Sequence, residues 1–167
     1  MRVARGDTLP ASAVVLRRFD PTDPSRCTLD EAGKPARLKS SAFKFDPWPE
    51  EGPIRRECSV YHEAGLIAIG LGVADCVESG RPEWRVAGAS VRDVKRFTRS
   101  HVPDPNPFEV VEDPFPGGCP PPHPRDAAHS SIIHDLPLPG ADKWYRDLAL
   151  TFYVREGNPE FIDVSAR

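Results

Sequence analysis

Short apolar runs alternate along this chain with longer polar stretches broken by proline. Residues 12–19 (SAVVLRRF) have a β-branched centre and predict a first strand, with Arg17 and Arg18 on opposite faces at its end. Residues 20–38 carry DPTDPS and EAGKPA, both turn chemistry, and read as a long surface loop. In residues 40–45 (SSAFKF), Phe43 and Phe45 alternate about Lys44, the pattern of a short half-buried strand, and residues 57–61 (ECSVY) predict another. Residues 62–77 fit two periods. Ile67, Ile69, Leu71 and Val73 suit a buried strand, while Leu66, Ile69 or Gly70, Val73 and Val77 mark a helical stripe. The run exceeds ordinary strand length, so a short helix packed closely through its glycines is expected. Residues 83–89 (EWRVAGA) predict a strand. Ser90 then caps a helical turn at VRDVKRF, where Val91, Val94 and Phe97 form a narrow apolar stripe. Residues 108–111 and 131–133 predict two further strands. In KWYRDLALTFYVRE, Trp144, Leu148 and Phe152 recur at i, i+4 and i+8, with Tyr145 and Leu150 flanking, and predict a last helix whose aromatic stripe belongs to the core. This order of elements predicts an α+β fold: one domain, a mainly antiparallel sheet, two or three helices and long proline-rich loops. Residues 1–11 are expected to fray.

Composition sharpens this picture in one place. The chain of 167 residues holds twenty prolines and five histidines. Eleven of those prolines and four of those histidines lie in residues 101–140, together with Cys119. Proline fixes φ and removes a backbone donor, so this segment must be mostly stiff loop around its two strands. Sites tend to be built on such loops. A net charge of −3 and a pI near 6.0 argue against broad charge-driven binding to nucleic acid or an anionic membrane. Local basic groups exist at Arg17-Arg18, at Arg55-Arg56, and over Arg92, Lys95, Arg96 and Arg99. No apolar run approaches the ~20 residues of a membrane helix, and the run at residues 13–16 is too short for a secretory core, so a cytoplasmic protein is expected. Cys27, Cys58, Cys76 and Cys119 are scattered without a CxxC, which fits reduced, mostly buried thiols.

Three constellations carry candidate chemistry. Cys119, His123, His129 and His134 offer one thiolate and three imidazoles of a kind that zinc accepts, although the spacing matches no zinc pattern and prolines crowd the first pair. No cofactor is therefore expected; zinc is the metal this set would take. His129 and Ser131 form an H-x-S pair leading into a strand. This is similar to one half of the site of two-histidine phosphoesterases, in which one imidazole is base and the other acid, and it occurs here in a single copy. The order Arg18, Tyr61, Glu63 resembles that of RES-type NAD-degrading toxins. That resemblance implies an arginine for the pyrophosphate, an aromatic ring for nicotinamide and an acid for ribose. The glycine-arginine-tryptophan context of those proteins is missing before Tyr61. No Walker loop, G-x-G-x-x-G, H-E-x-x-H or G-x-S-x-G is found in the chain.

A broader likeness spans residues 16–135. The succession Leu16-Arg17-Arg18, Lys39-Ser40-Ser41-Ala42-Phe43-Lys44, Cys58-Ser59-Val60-Tyr61 and Ala128-His129-Ser130-Ser131-Ile132 resembles a group of small bacterial proteins with an Arg…SSAF…SV…His-x-x-Ile arrangement and no assigned activity. The resemblance implies that Arg18, Ser40, Ser41 and His129 together grip a phosphate or carboxylate, with the histidine as donor or base. Two functions are expected on these grounds. The first is an accessory or protein-interaction module of a larger bacterial system, offering stiff proline-rich loops to a protein partner. The alternative is a small enzyme acting on a nucleotide or phosphorylated substrate. His129 would be its acid or base, Arg18 its anion clamp, and Ser40, Ser41, Tyr61 and Glu63 its binding residues.

Overall fold

The structure, a computed structural model, describes residues 6–47, 55–77, 81, 84–97, 105–113, 124–135 and 141–155. Within them the strands are β1 (Val14–Phe19), β2 (Cys27–Leu29), β3 (Pro35–Leu38), β4 (Asp46–Pro47), β5 (Arg56–His62), β6 (Arg85–Ser90), β7 (Glu109–Glu112), β8 (His129–His134) and β9 (Tyr153–Arg155). The helices are α1 (Glu63–Ala68), α2 (Val91–Arg96) and α3 (Ala141–Leu150). Seven strands form one sheet in the order β7-β8-β5-β1-β6-β9, with β4 paired to β5. Every pairing is antiparallel, and β2 and β3 make a separate hairpin. This is the single-domain α+β fold that the sequence predicts. No helix among the described residues is long and apolar enough to cross a membrane.

Strand alternation sorts the side chains onto two faces. One face carries the main core: Val15 and Phe19 of β1, Cys58 and Val60 of β5, Ala87 and Ala89 of β6, and Ile132 of β8 pack against Trp144 and Leu148 of α3 and Val91 and Val94 of α2. The other face carries a smaller cluster of Leu16, Tyr61, Val86, Leu66 of α1, Val73, Cys76 and Ala128. The 3-10 turns Val73–Cys76 and Pro124–Ala128 cover this second face beside α1. Arg17 and Arg18, successive residues of β1, therefore start on opposite faces as expected.

Several local expectations are corrected. The stretch read as loop, residues 20–38, contains the β2–β3 hairpin. Its turn is made by Asp30, whose Oδ1 accepts from the Ala32 and Lys34 amides at 2.9 Å each, and by Gly33 at φ 77°. Residues 40–45 do not extend as one strand: Ser40–Ala42 is a 3-10 turn, and the short β4 follows it. Residues 6–9 are not frayed. Gly6 and Leu9 donate to Glu112 and Val110 at 2.9 Å each, laying the chain along the β7 edge. The short helix expected in residues 62–77 does form as α1; it stops at Ala68, after which a turn through Gly70 at φ 80° leads to the second 3-10 turn. The last helix ends at Leu150, and β9 then pairs with β6. Residues Thr151 to Val154 are β-branched or aromatic, which favours extended chain once the helical face has been used. Trp144, Leu148 and Phe152 all remain in the core, Phe152 reaching it from the turn beyond the helix end, against Phe43.

Candidate functional site

The second face of the sheet brings several of the expected site residues together. Tyr61 of β5 lies opposite His129 of β8 in register, and their rings meet edge to face at 5.7 Å. His129 is 1% exposed. Its Nδ1 lies 2.6 Å from the carbonyl oxygen of Asp113, and because a carbonyl only accepts, Nδ1 carries the proton and donates it. The Asp113 amide donates back to the His129 carbonyl at 3.1 Å. Ser131, two residues on and so on the same face, donates its hydroxyl to Asp113 Oδ2 at 2.7 Å. The H-x-S pair thus ties β8 to Asp113 at the end of β7, His129 through the Asp113 backbone carbonyl and Ser131 through the buried Asp113 carboxylate. Across Tyr61, the guanidinium of Arg125 stands 6.0 Å from the ring centroid and donates to the Asp75 carbonyl at 3.1 Å. Burial raises the Tyr61 phenol above its ordinary pKa, and the charges of Arg18 and Arg125 oppose that rise. Burial likewise pushes the nearby Cys76 thiol up to about 12, against the same two arginines, so Cys76 is no thiolate at neutral pH.

Other expected partners are elsewhere. Glu63, the first residue of α1, is buried and held by Arg155 of β9 at 3.0 Å, so its carboxylate is committed to an ion pair. Ser40 and Ser41 lie in the 3-10 turn against α3, and Ser41 bonds to the 20–26 loop through the Ser25 carbonyl, away from His129. His134 is five residues from His129 on the same strand and so faces the other way, among Phe45, Phe108 and Tyr145. The two histidines cannot share an ion. Cys119 and His123, the remaining ligands of that set, lie outside the described residues, as does most of the proline-rich surface expected to meet a protein partner. Cys27, Cys58 and Cys76 are free and buried, as expected of reduced thiols.

The feature that sequence reading missed is a split in the sheet. The ladder between β1 and β5 ends after Leu16 and Tyr61, and β4 takes over the same edge of β5 at Glu57 and Arg56. Arg17 fills the gap. Its Nη1 donates to the Ser59 carbonyl at 2.7 Å and its Nε to the Ala42 carbonyl at 3.0 Å, so one guanidinium replaces the missing strand contact. Neither bond uses Nη2. Beyond the split lies a cavity of about 340 Å³ lined by Arg17, Arg18, Arg26, Lys44, Arg81 and Trp84, with Phe19, Ala42, Asp20 and Asp23. Comparison of the chain with protein-family models, with curated proteins and with solved structures gives no match. The cavity has to be read from its own chemistry.

That chemistry is positive. Five cationic side chains and two carboxylates line it. Asp23 is already neutralised in part by Arg26 at 3.4 Å, and its hydrogen bonds from Ser25 hold its pKa below the usual carboxylate value. Arg26 also donates to the Ser41 carbonyl, and Lys39 Nζ to the Pro24 carbonyl at 2.6 Å, so the 20–26 loop is fastened to the 3-10 turn as the cavity wall. Arg81 lies over Trp84, 4.5 Å from its ring centroid. Arg18 belongs to both regions: it lines the cavity, donates to the Cys76 carbonyl at 3.4 Å and acts on Tyr61 from the second face. The Arg17-Arg18 doublet at a strand end was the available sequence signal. Arg26, Lys44, Arg81 and Trp84 had none, because they come from loops and strand flanks scattered over the chain.

Proposed function

We propose that this chain is an accessory binding module for a small phosphorylated or carboxylate-bearing ligand held in the arginine-lined cavity. One observation carries the reading. In a chain with a net charge of −3, five cationic side chains and only two carboxylates converge on one cavity. Gathering like charges costs free energy through mutual repulsion, which an anionic occupant relieves. Arg17 is pre-organised by its two carbonyl bonds, so little side-chain entropy is lost when Nη2 meets an anion. Arg18 keeps the clamp role expected of it. Burial of His129 and its bond to Asp113 favour a positioning part for that ring, and with it binding over catalysis.

Calorimetric titration with inorganic phosphate and pyrophosphate tests the reading. A hydrogen bond to a charged group contributes about 1.5–3 kcal/mol, so Arg18→Gln is expected to weaken pyrophosphate binding by roughly ten- to a hundredfold. Lys44→Gln should weaken it about two- to threefold, since the Lys44 side chain is 73% exposed. Absence of binding at millimolar anion, or affinities that ignore both substitutions, would sink the proposal.

A further inference from the structure

We infer that the ligand is a mononucleotide, an inference that rests on the anion-binding reading above. The cavity does not hold cations alone. A bare phosphate needs only the positive wall, and Asp20 and Asp23 would work against it. Three chemistries meet here, and they match the three parts of a nucleotide. Arg17, Arg18, Arg26 and Lys44 suit the phosphate. Trp84 supplies an aromatic surface, steadied by the Arg81 guanidinium 4.5 Å from its ring centroid, and a ring with an adjacent guanidinium is a platform on which any base can stack. Asp20 supplies a fixed acceptor for sugar hydroxyls. Its Oδ1 takes bonds from the Thr22 amide at 2.9 Å and hydroxyl at 2.6 Å, which orient the carboxylate and do not use Oδ2. Carboxylates hold ribose hydroxyls in this way in dinucleotide-binding folds. Size limits the choice further. At about 340 Å³ the cavity falls at the small end of ligand pockets, which run from roughly 300 to 1,000 Å³, and suits one nucleoside with its phosphate better than a dinucleotide such as NAD.

The test compares adenosine 5′-monophosphate, guanosine 5′-monophosphate, ribose 5-phosphate and inorganic phosphate, titrated calorimetrically into the full chain at low salt. At least one nucleoside monophosphate is expected to bind about tenfold or more tightly than ribose 5-phosphate, the gain that stacking one base supplies. Trp84→Leu should erase that gap while inorganic phosphate still binds, and Trp84→Phe should keep most of it. Equal affinities for nucleotide and ribose 5-phosphate overturn the mononucleotide and leave the anion-binding module standing. If none of the four phosphates binds, both readings fail. Circular dichroism shows whether Trp84→Leu folds; if it does not, the wild-type comparison and Trp84→Phe decide the matter.

Discussion

His134 sits at the centre of the aromatic packing on the main face and is neutral there. Its ring lies 4.9 Å from that of Phe45 and 5.6 Å from that of Phe108, and its Nε2 is 2.5 Å from the Tyr145 hydroxyl. Burial is the main cause that drives the His134 pKa down from 6.5 to about 4, with Arg55 and Arg56 adding to it and Asp135 opposing. Burial also raises the Tyr145 phenol to about 12, so neither group is charged near pH 7. Between pH 6.5 and about 4 the unfolded chain takes up a proton at His134 that the folded chain refuses. The contribution of His134 to stability should therefore fall as pH drops through this window, by about 3 kcal/mol in all, and level off below it. Urea unfolding at pH 7, 5 and 4 of the wild type and of His134→Leu isolates the effect. The wild-type curve should be the steeper, and parallel curves would show that His134 does not carry the dependence.

Individual elements show how one strand serves two sites. All six residues of β8 are buried. His129 and Ser131 point to the second face, and Ile132 and His134 to the main core, so the HSSIIH run has no solvent side. The alternation of polar and apolar residues that marks a half-exposed strand is absent for that reason, and only its centre was legible. Helix α2 was legible entirely. Ser90 Oγ accepts from the Asp93 amide at 3.0 Å, the cap that its sequence announces. Helix α1 follows the expectation of close packing through glycine at one position: a Cβ on Gly65 would stand 3.1 Å from the Ala128 Cβ and 3.5 Å from His62 Nδ1. Gly65→Val should accordingly push α1 off the Pro124–Ala128 turn and cost about 1–3 kcal/mol, read as a lowered urea midpoint. A midpoint equal to that of the wild type would mean the contact is loose.

At the scale of the molecule, charge is distributed against its own average. The chain is acidic overall, yet one end of β1 collects Arg17, Arg18, Arg26, Lys44 and Arg81. An anion that binds there favours the folded state, because the five residues, spread from position 17 to position 81, converge only in the fold. At a hundred times its Kd such a ligand adds about 2.7 kcal/mol of stability. For a chain of this size that corresponds to a rise in Tm of roughly 5–10 °C. The rise should shrink in high salt, since cations near the surface are screened. Thermal melts with and without pyrophosphate, at low and at high sodium chloride, measure it; an unchanged Tm under saturating pyrophosphate would contradict a folded-state anion site.

What the sequence determined by itself was local. Periodicity and turn chemistry specified the α+β class, most strands of the large sheet, the capped α2 and the aromatic core stripe of α3, because each depends on residues within one or two turns of one another. The hairpin of β2 and β3 escaped it, since strands of three and four residues with exposed faces carry too little alternation to stand out from their turn. So did the end of α3, where Phe152 keeps helical spacing although the helix has already stopped at Leu150. Of the cavity lining, only the Arg17-Arg18 doublet was legible. His129 was located, but whether it faces solvent or the core depends on what β5, β7 and the Pro124–Ala128 turn lay over it. The cavity itself exists because β1 and β5 part after a short ladder and β4 enters the gap, a competition between backbone partners separated by dozens of residues. Which carbonyls Arg17 bonds, and which scattered cations then face one another, follow from that parting and from nothing local, so only the tertiary structure could decide them.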